Sequence, residues 1–435
     1  MQLVGLSFQN YKAFRTRESI EIRPLTVLIG RNSSGKSAVA RLPLLLAGAL
    51  SDRAEAPLPL EVDGVDFGGS FVELIHNQQP HGAVDLGATF EDGGARFELQ
   101  ARVQNYKDAK LPVVEELSLD VPGHGRCSFE YLDKNPMAMP RRYRVTVHGQ
   151  APVDLPLGFG GLRPDLSDVL RDMTHAAMHG SLSGVAKILG DMEREVSRTG
   201  YLGPFRPPPQ RLYRDPGALL PNVGRNGVLA ASLLGSDAQR KSGEVVRKVG
   251  EWYRDHLGGW ALDVVWSGNT FSIVVRSPEN SDVAVNLMDV GAGLAQVLPL
   301  IVQRQVENLG GKHGGLEIME EPESQLHPGA HGDLADLYVE AAKHPGARFI
   351  IETHSENFIL RVRRRVAEHY QNLATGLDPS LVRVYWIDDI RQVGSRVKPI
   401  EVLPDGDVSD WPEGVFSEDF DEVCAIREAQ GTGAA

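Results

Sequence analysis

The sequence predicts an α/β fold: a mixed sheet with an antiparallel β subdomain and a partly helical insertion. Three observations lead there. Pro24–Ile29 reads as a buried strand running straight into the glycine-rich turn Gly30-Arg31-Asn32-Ser33-Ser34-Gly35-Lys36-Ser37, and a helix starts at Lys36. Gly315–Glu321 and Arg348–Ser355 are two more apolar strands, each with a polar tip. Leu3–Phe8, Ser19–Ile22, Phe71–Ile75, Val84–Phe90 and Ala95–Leu99 read as shorter strands of the antiparallel part.

The turn fits G-x-x-x-x-G-K-[ST], the phosphate-binding P-loop. Gly30 and Gly35 permit the turn. The backbone N–H groups of Gly30, Arg31, Asn32, Ser33, Ser34 and Gly35 can then approach phosphate oxygens at a helix N-terminus. Lys36 would reach the β- and γ-phosphates, and the Ser37 hydroxyl would bind Mg²⁺. Pro43 removes an N–H from the helix that follows, so a kink or early end is expected there.

The strand Gly315–Glu321 ends in two acids and is followed by Pro322-Glu323-Ser324-Gln325-Leu326-His327-Pro328, which matches Walker B. Glu320 is expected to hold Mg²⁺ through water. Glu321 is expected to orient and deprotonate an attacking water. His354, at the tip of the next strand, is placed to contact a γ-phosphate and stabilise transition-state charge. His327 and His331 are four apart, but the glutamate of a zinc H-E-x-x-H helix is absent. Gly291 and Gly293 open an apolar helix, a second anion-facing N-terminus.

Composition narrows the function. The 435 residues allow two or three units sharing a core. A net charge of −13 argues against a surface coated for nucleic acid and leaves room for a local basic patch. Two cysteines, Cys127 and Cys424, exclude a disulfide framework and a cysteine-rich zinc module, and suit a reducing cytosol. No apolar run reaches membrane-spanning length, and Met1–Asn10 lacks a signal-peptide pattern. A cytoplasmic protein is expected.

Between residues 106 and 260 Pro-rich loops separate two helical stretches, Leu166–Val196 (Val169, Leu170, Met173, Met192) and Val228–His256. This segment reads as a compact insertion. Tyr201–Arg206 with Arg211 and Arg214 is a basic turn, either facing phosphate or forming a Pro-rich linker. Four arginines between Arg361 and Arg365 fit an acidic partner or a solvated face paired to nearby acids. Asn10–Arg15 either presents an aromatic or cation to adenine or packs Phe14 into the core.

The order of these motifs resembles the ABC-class AAA ATPases of the RecF, OLD (overcoming lysogenisation defect) and SMC type. It looks closest to short bacterial members with a D-W-P-x-G-F-F-like tail, here Asp410-Trp411-Pro412-Glu413-Gly414-Val415-Phe416. The resemblance covers about residues 1–100 and 260–420. It implies a P-loop NTPase head of ABC type that binds ATP and Mg²⁺ between two subunits. The Gly291–Gln296 turn of one subunit would close on the γ-phosphate held by the other. It also implies a homodimer, a protein effector partner, and DNA as a candidate partner in repair or phage defence.

The expected units are 1–105 and 261–404 for the head, 106–260 for the insertion and 405–435 for the tail. His76–Gln79 sits where such heads place a Gln-loop. Ala295 departs from the serine usual in the family. Relatives also vary at the position of Glu321, so either Glu320 or Glu321 serves as general base. OLD proteins carry a Toprim nuclease, for which only Asp388, Asp389, Asp405 and Asp407 offer acids here. An ATP-dependent DNA endonuclease and a nucleotide-binding module without turnover are the alternatives.

Overall fold

Leu25–Ile29 are buried, as an unbroken apolar run requires of a strand covered on both faces. The computed structural model describes residues 1–411 except 124, 134, 138, 173–175, 219, 241, 281, 312–313 and 391–392, together with 425–426. It sets this strand inside a six-stranded sheet. Edge to edge the strands are Gly200–Leu202, Gly315–Glu320, Ala347–Glu352, Leu25–Gly30, Val382–Ile390 and Gly394–Ile400. All neighbours pair in parallel except the last two. In register, Glu320 lies opposite Glu352, and Glu352 opposite Leu28. The acidic strand tips therefore finish two residues short of Gly30, where the P-loop starts. Leu28 faces one core, with Phe8 and Phe14. Leu25, Val27 and Ile29 face the other, with Leu298 and Tyr338, as alternation along a strand dictates.

The antiparallel part is an eight-stranded sheet that runs well past residue 105. Its strands pair in the order Glu18–Glu21, Gln2–Gln9, Ala83–Asp92, Ala95–Tyr106, Leu111–Val121, Gly125–Tyr131, Arg142–Val147 and Val153–Pro156. The segment 106–260, expected as an insertion, thus adds four strands to this sheet and an edge strand to the other. A short 3₁₀ turn at Lys107–Ala109 folds the chain straight back, so Tyr106 pairs with Leu111.

Several local expectations are modified. Phe71–Ile75 is not a strand. Phe71–Leu74 forms a 3₁₀ turn that buries Phe71 and Leu74, three apart, on one side. The early end expected near Pro43 is present: the P-loop helix Lys36–Ala40 stops at Arg41, and Leu42–Leu50 begins afresh with Pro43 in its first turn, where no N–H is needed. The stretch Leu166–Val196 is two helices, Ser167–Asp172 and Ala176–Val196, and Met173 lies outside the described residues. The stretch Val228–His256 is likewise two, Ala230–Arg240 and Glu244–His256. Pro412–Phe416 of the tail also lie outside the described residues.

Phe14 is fully buried and meets Phe8 edge-on at 4.9 Å, so the Asn10–Arg15 turn serves the core. It lies directly under the P-loop. Gly35 adopts φ 103, and a Cβ there would stand 2.9 Å from the Phe14 ring. Phe14→Ala should therefore loosen the phosphate turn as well as the core. The expected loss is about 3–5 kcal/mol of unfolding free energy, read from urea denaturation.

Candidate functional site

The P-loop motif produces its local geometry. Ser33 and Gly35 take positive φ (63 and 103), which curls the chain around a hollow. Arg31, Asn32 and Ser33 form the exposed tip, while Ser34 is buried with its hydroxyl unpartnered. Lys36 is 3% exposed. Its ammonium donates to the carbonyls of Gly30 (3.0 Å) and Arg31 (2.8 Å). Burial lowers its pKa, opposed by Glu352 and Glu321.

Three carboxylates meet at the strand tips. Glu320, expected to hold metal, has both oxygens engaged by Arg41, at 2.5 Å from Nε and 2.5 Å from Nη2. Arg41 lies one helical turn beyond Ser37, and its N–H donates to the Ser37 carbonyl. The Ser37 hydroxyl instead donates to Glu352 Oε1 at 3.0 Å. The other Glu352 oxygen is buried with no hydrogen-bond partner. Burial, with Glu320 alongside, pushes the Glu352 carboxyl up to about 7.

Glu321 has a left-handed backbone (φ 45), a conformation costing a non-glycine residue about 1 kcal/mol or more. Its N–H donates to the Glu352 carbonyl at 2.8 Å, and its carbonyl accepts from Arg206 at 3.1 Å. His354 follows Glu352. Its N–H donates to Glu323 Oε1 (2.8 Å), which also accepts from the Thr353 hydroxyl (2.7 Å). Enclosure, with Lys36 nearby, lowers the His354 pKa, partly opposed by Glu321. The expected residues Lys36, Ser37, Glu320, Glu321 and His354 thus gather at the mouth of one turn.

Gly291 and Gly293 lie elsewhere. They open the helix Ala292–Gly310 and line a cleft of about 550 Å³ with His256, Gln325 and His327, which no residue of the P-loop lines. Gly293 is required by close approach: a Cβ there would stand 2.4 Å from the Gln325 carbonyl. His327 accepts from the Gly329 N–H (3.1 Å), while His331 faces Ser355 (2.7 Å), so the two do not share a ligand position.

Sequence reading passed over Arg41, Glu323 and Glu352 as site residues, and saw Arg206 only as part of a basic turn. Arg206 is buried and has no carboxylate partner. Its guanidinium donates to the carbonyls of Glu320 (3.3 Å) and Glu321 (3.1 Å), and to that of Gln296 on the Ala292–Gly310 helix (3.2 Å). The Gln296 amide donates back to the Arg206 carbonyl at 3.2 Å. One side chain thereby ties the Glu320–Glu321 strand tip to the glycine-turn helix. Its neighbour Phe205 is 90% exposed. The Arg361–Arg365 group is paired with acids: Arg361 with Asp333 and Asp336, Arg363 with Asp407, Arg364 with Glu368, and Arg365 with Asp336 and Glu368.

The fold and the site are similar to those of the ABC-class ATPase heads of the OLD and SMC type. Among curated proteins, the chain is similar to Old nuclease of Escherichia phage P2, with 24% identity over 373 residues. The match covers 82% of this chain and 57% of that protein, so the chain spans little more than half of its relative's length. No family model matches. Solved structures with a loose likeness include the SMC head domain from Thermotoga maritima (14% identity, TM-score 0.43, 92% of this chain and 100% of that one). Another is an Smc head bound to the C-terminal domain of ScpA derived from Pyrococcus furiosus (12% identity, TM-score 0.42, 98% and 99%). Among the described residues, no helix is long and apolar enough to cross a membrane.

Two outcomes are expected. Arg206→Met keeps bulk and removes the donors, leaving buried carbonyls unsatisfied, and should lower stability by about 1–3 kcal/mol in urea denaturation. Burial pushes the Glu368 carboxyl up, but hydrogen bonds from Thr375, Arg365 and Arg364 outweigh it and hold the group down at about 2. An unfolded glutamate titrates near 4.3, so the contribution of Glu368 is complete above about pH 5 and fades as pH falls toward 2. Glu368→Gln should cost about 1 kcal/mol at pH 7, with the gap to wild type closing only as pH falls to about 2 in urea titrations.

Proposed function

We propose that the chain binds Mg·ATP at the P-loop and hydrolyses it, acting as a nucleotide-dependent dimerising switch. The observation that carries this is the gathering of Lys36, Ser37, Glu321 and His354 at the P-loop mouth, within reach of one another's charge. The site fits the nucleotide and its cation on its own chemistry. Lys36 is held by carbonyls alone, Ser34 keeps an unpartnered hydroxyl, and Glu352 keeps an unpartnered carboxylate oxygen. A bound Mg²⁺ would supply charge neutralisation on the phosphates. Backbone N–H groups of residues 30–35 would hold phosphate oxygens, and Lys36 would turn from its carbonyls to the β- and γ-phosphates. Glu321 would take the proton of the attacking water, and the His354 ring would contact the γ-phosphate.

The Gly291 and Gly293 turn does not reach the P-loop of its own chain, which suits a turn that acts on a second copy. Ala295 is buried in that helix, so it offers no hydroxyl to such a partner. A cytoplasmic setting, a protein effector, and a role in DNA repair or phage defence are part of this reading.

The name Old nuclease prompts a second reading, an ATP-dependent DNA endonuclease. The acids it would need are engaged otherwise. Asp388 pairs with Lys398 (2.7 Å), and Asp405 accepts from the Asp407 N–H (3.0 Å). Metal-dependent plasmid nicking lost in Asp388→Ala or Asp405→Ala would favour it.

The deciding experiment is steady-state phosphate release from ATP, with and without DNA. Wild type should turn over. Lys36→Ala and Glu321→Gln should fall by about a hundredfold or more, with Glu321→Gln accumulating an ATP-bound dimer in sedimentation. Wild-type release no faster than Lys36→Ala would reduce the chain to a nucleotide-binding module.

A further inference from the structure

We infer that Glu352, rather than Glu320, is the carboxylate that shares the divalent cation with Ser37. The inference rests on the Mg·ATP reading above. It starts from which carboxylate has an oxygen to give. Glu320 is 2% exposed, and Arg41 grips both of its oxygens in a two-point pair. Such a pair is strong and directional, and opening it would strand a buried carboxylate and a partly buried guanidinium. Glu352 is 4% exposed, and among the described residues the side-chain donor to it is the Ser37 hydroxyl, not a cation. One of its oxygens already accepts from the Ser37 hydroxyl, and the other has no partner. A buried carboxylate oxygen without a donor marks a place for a cation or its water.

The position is also rigid. Glu352 ends a central strand paired on both sides, opposite Glu320 on one and Leu28 on the other. Its carbonyl is fixed by the Glu321 N–H, and the Thr353 and His354 that follow are fixed by Glu323. Lys36 donates to the carbonyls of Gly30 and Arg31 and makes no hydrogen bond to Glu352 among the described residues. In this arrangement Ser37 and Glu352 contribute the protein oxygens. Arg41 keeps Glu320 as a fixed, neutralised brace between the P-loop helix and the Walker B strand.

The test measures Mn²⁺ binding in the presence of ATPγS, reading free Mn²⁺ by electron paramagnetic resonance. Metal-free nucleotide binding in EDTA, read with a fluorescent ATP analogue, runs beside it. Glu352→Gln should weaken Mn²⁺ by about tenfold or more while metal-free nucleotide affinity stays within about threefold. Glu320→Gln should keep Mn²⁺ affinity within about threefold. Because that variant strands Arg41, the double variant Arg41→Met/Glu320→Met, which removes the pair together, is measured too and should also retain Mn²⁺. Full Mn²⁺ affinity in Glu352→Gln, or its loss in both Glu320 variants with Glu352→Gln unaffected, would overturn the inference and leave the ATP reading standing. A wild-type chain that takes neither Mn²⁺ nor nucleotide would overturn both.

Discussion

Register is the constraint on which the site depends. Two acidic strands finish at one level, Glu320 beside Glu352, and Glu352 lies opposite Leu28, two residues before the P-loop. A parallel ladder presents its carboxyl ends along one edge, where turns can converge. Shift one strand by a single residue and its side chains change faces, sending a carboxylate into an apolar core. Leu28 is already committed to one core, and Val27 and Ile29 to the other. Apolar burial thus sets the register, and the register sets the chemistry.

That edge concentrates like charge, and the fold answers it in different ways. Glu320 receives a guanidinium in a two-point grip. Glu323 spends one oxygen on a hydroxyl and a backbone N–H. Glu352 is left half-satisfied, and burial beside Glu320 raises its pKa. Arg206 adds positive charge while touching only carbonyls, so it braces the main chain without neutralising an acid. Uneven satisfaction of equivalent groups gives each carboxylate its own character, although all sit on short neighbouring segments.

How much of this was legible depended on how local each signal was. The P-loop is eight consecutive residues whose geometry follows from its glycines and its helix start, and the sequence shows it directly. Glu320, Glu321 and His354 were found by their place at strand tips. What could not be read was partnership. Arg41 meets Glu320 across 279 positions and Ser37 meets Glu352 across 315, and nothing in the intervening sequence announces either pairing. Glu352 was visible as a letter in a motif, yet its task depends on which strand lies next to which. The bounds at 106 and 260 were misleading for a related reason. Pro-rich loops look like borders, while the strands from Leu111 onward carry the same alternation as those before them and join the same sheet.

The interleaving has an evolutionary consequence. Residues 106–260 supply four strands of one sheet, an edge strand of the other and the arginine behind the Walker B tip. A stretch that bears no recognisable motif is therefore woven into the scaffold and cannot be exchanged as a cassette. Insertion or deletion is tolerated best at loop tips and exposed positions such as Phe205, where change disturbs no ladder. Sequence drift through the segment, with its backbone path preserved, is the pattern such an architecture permits.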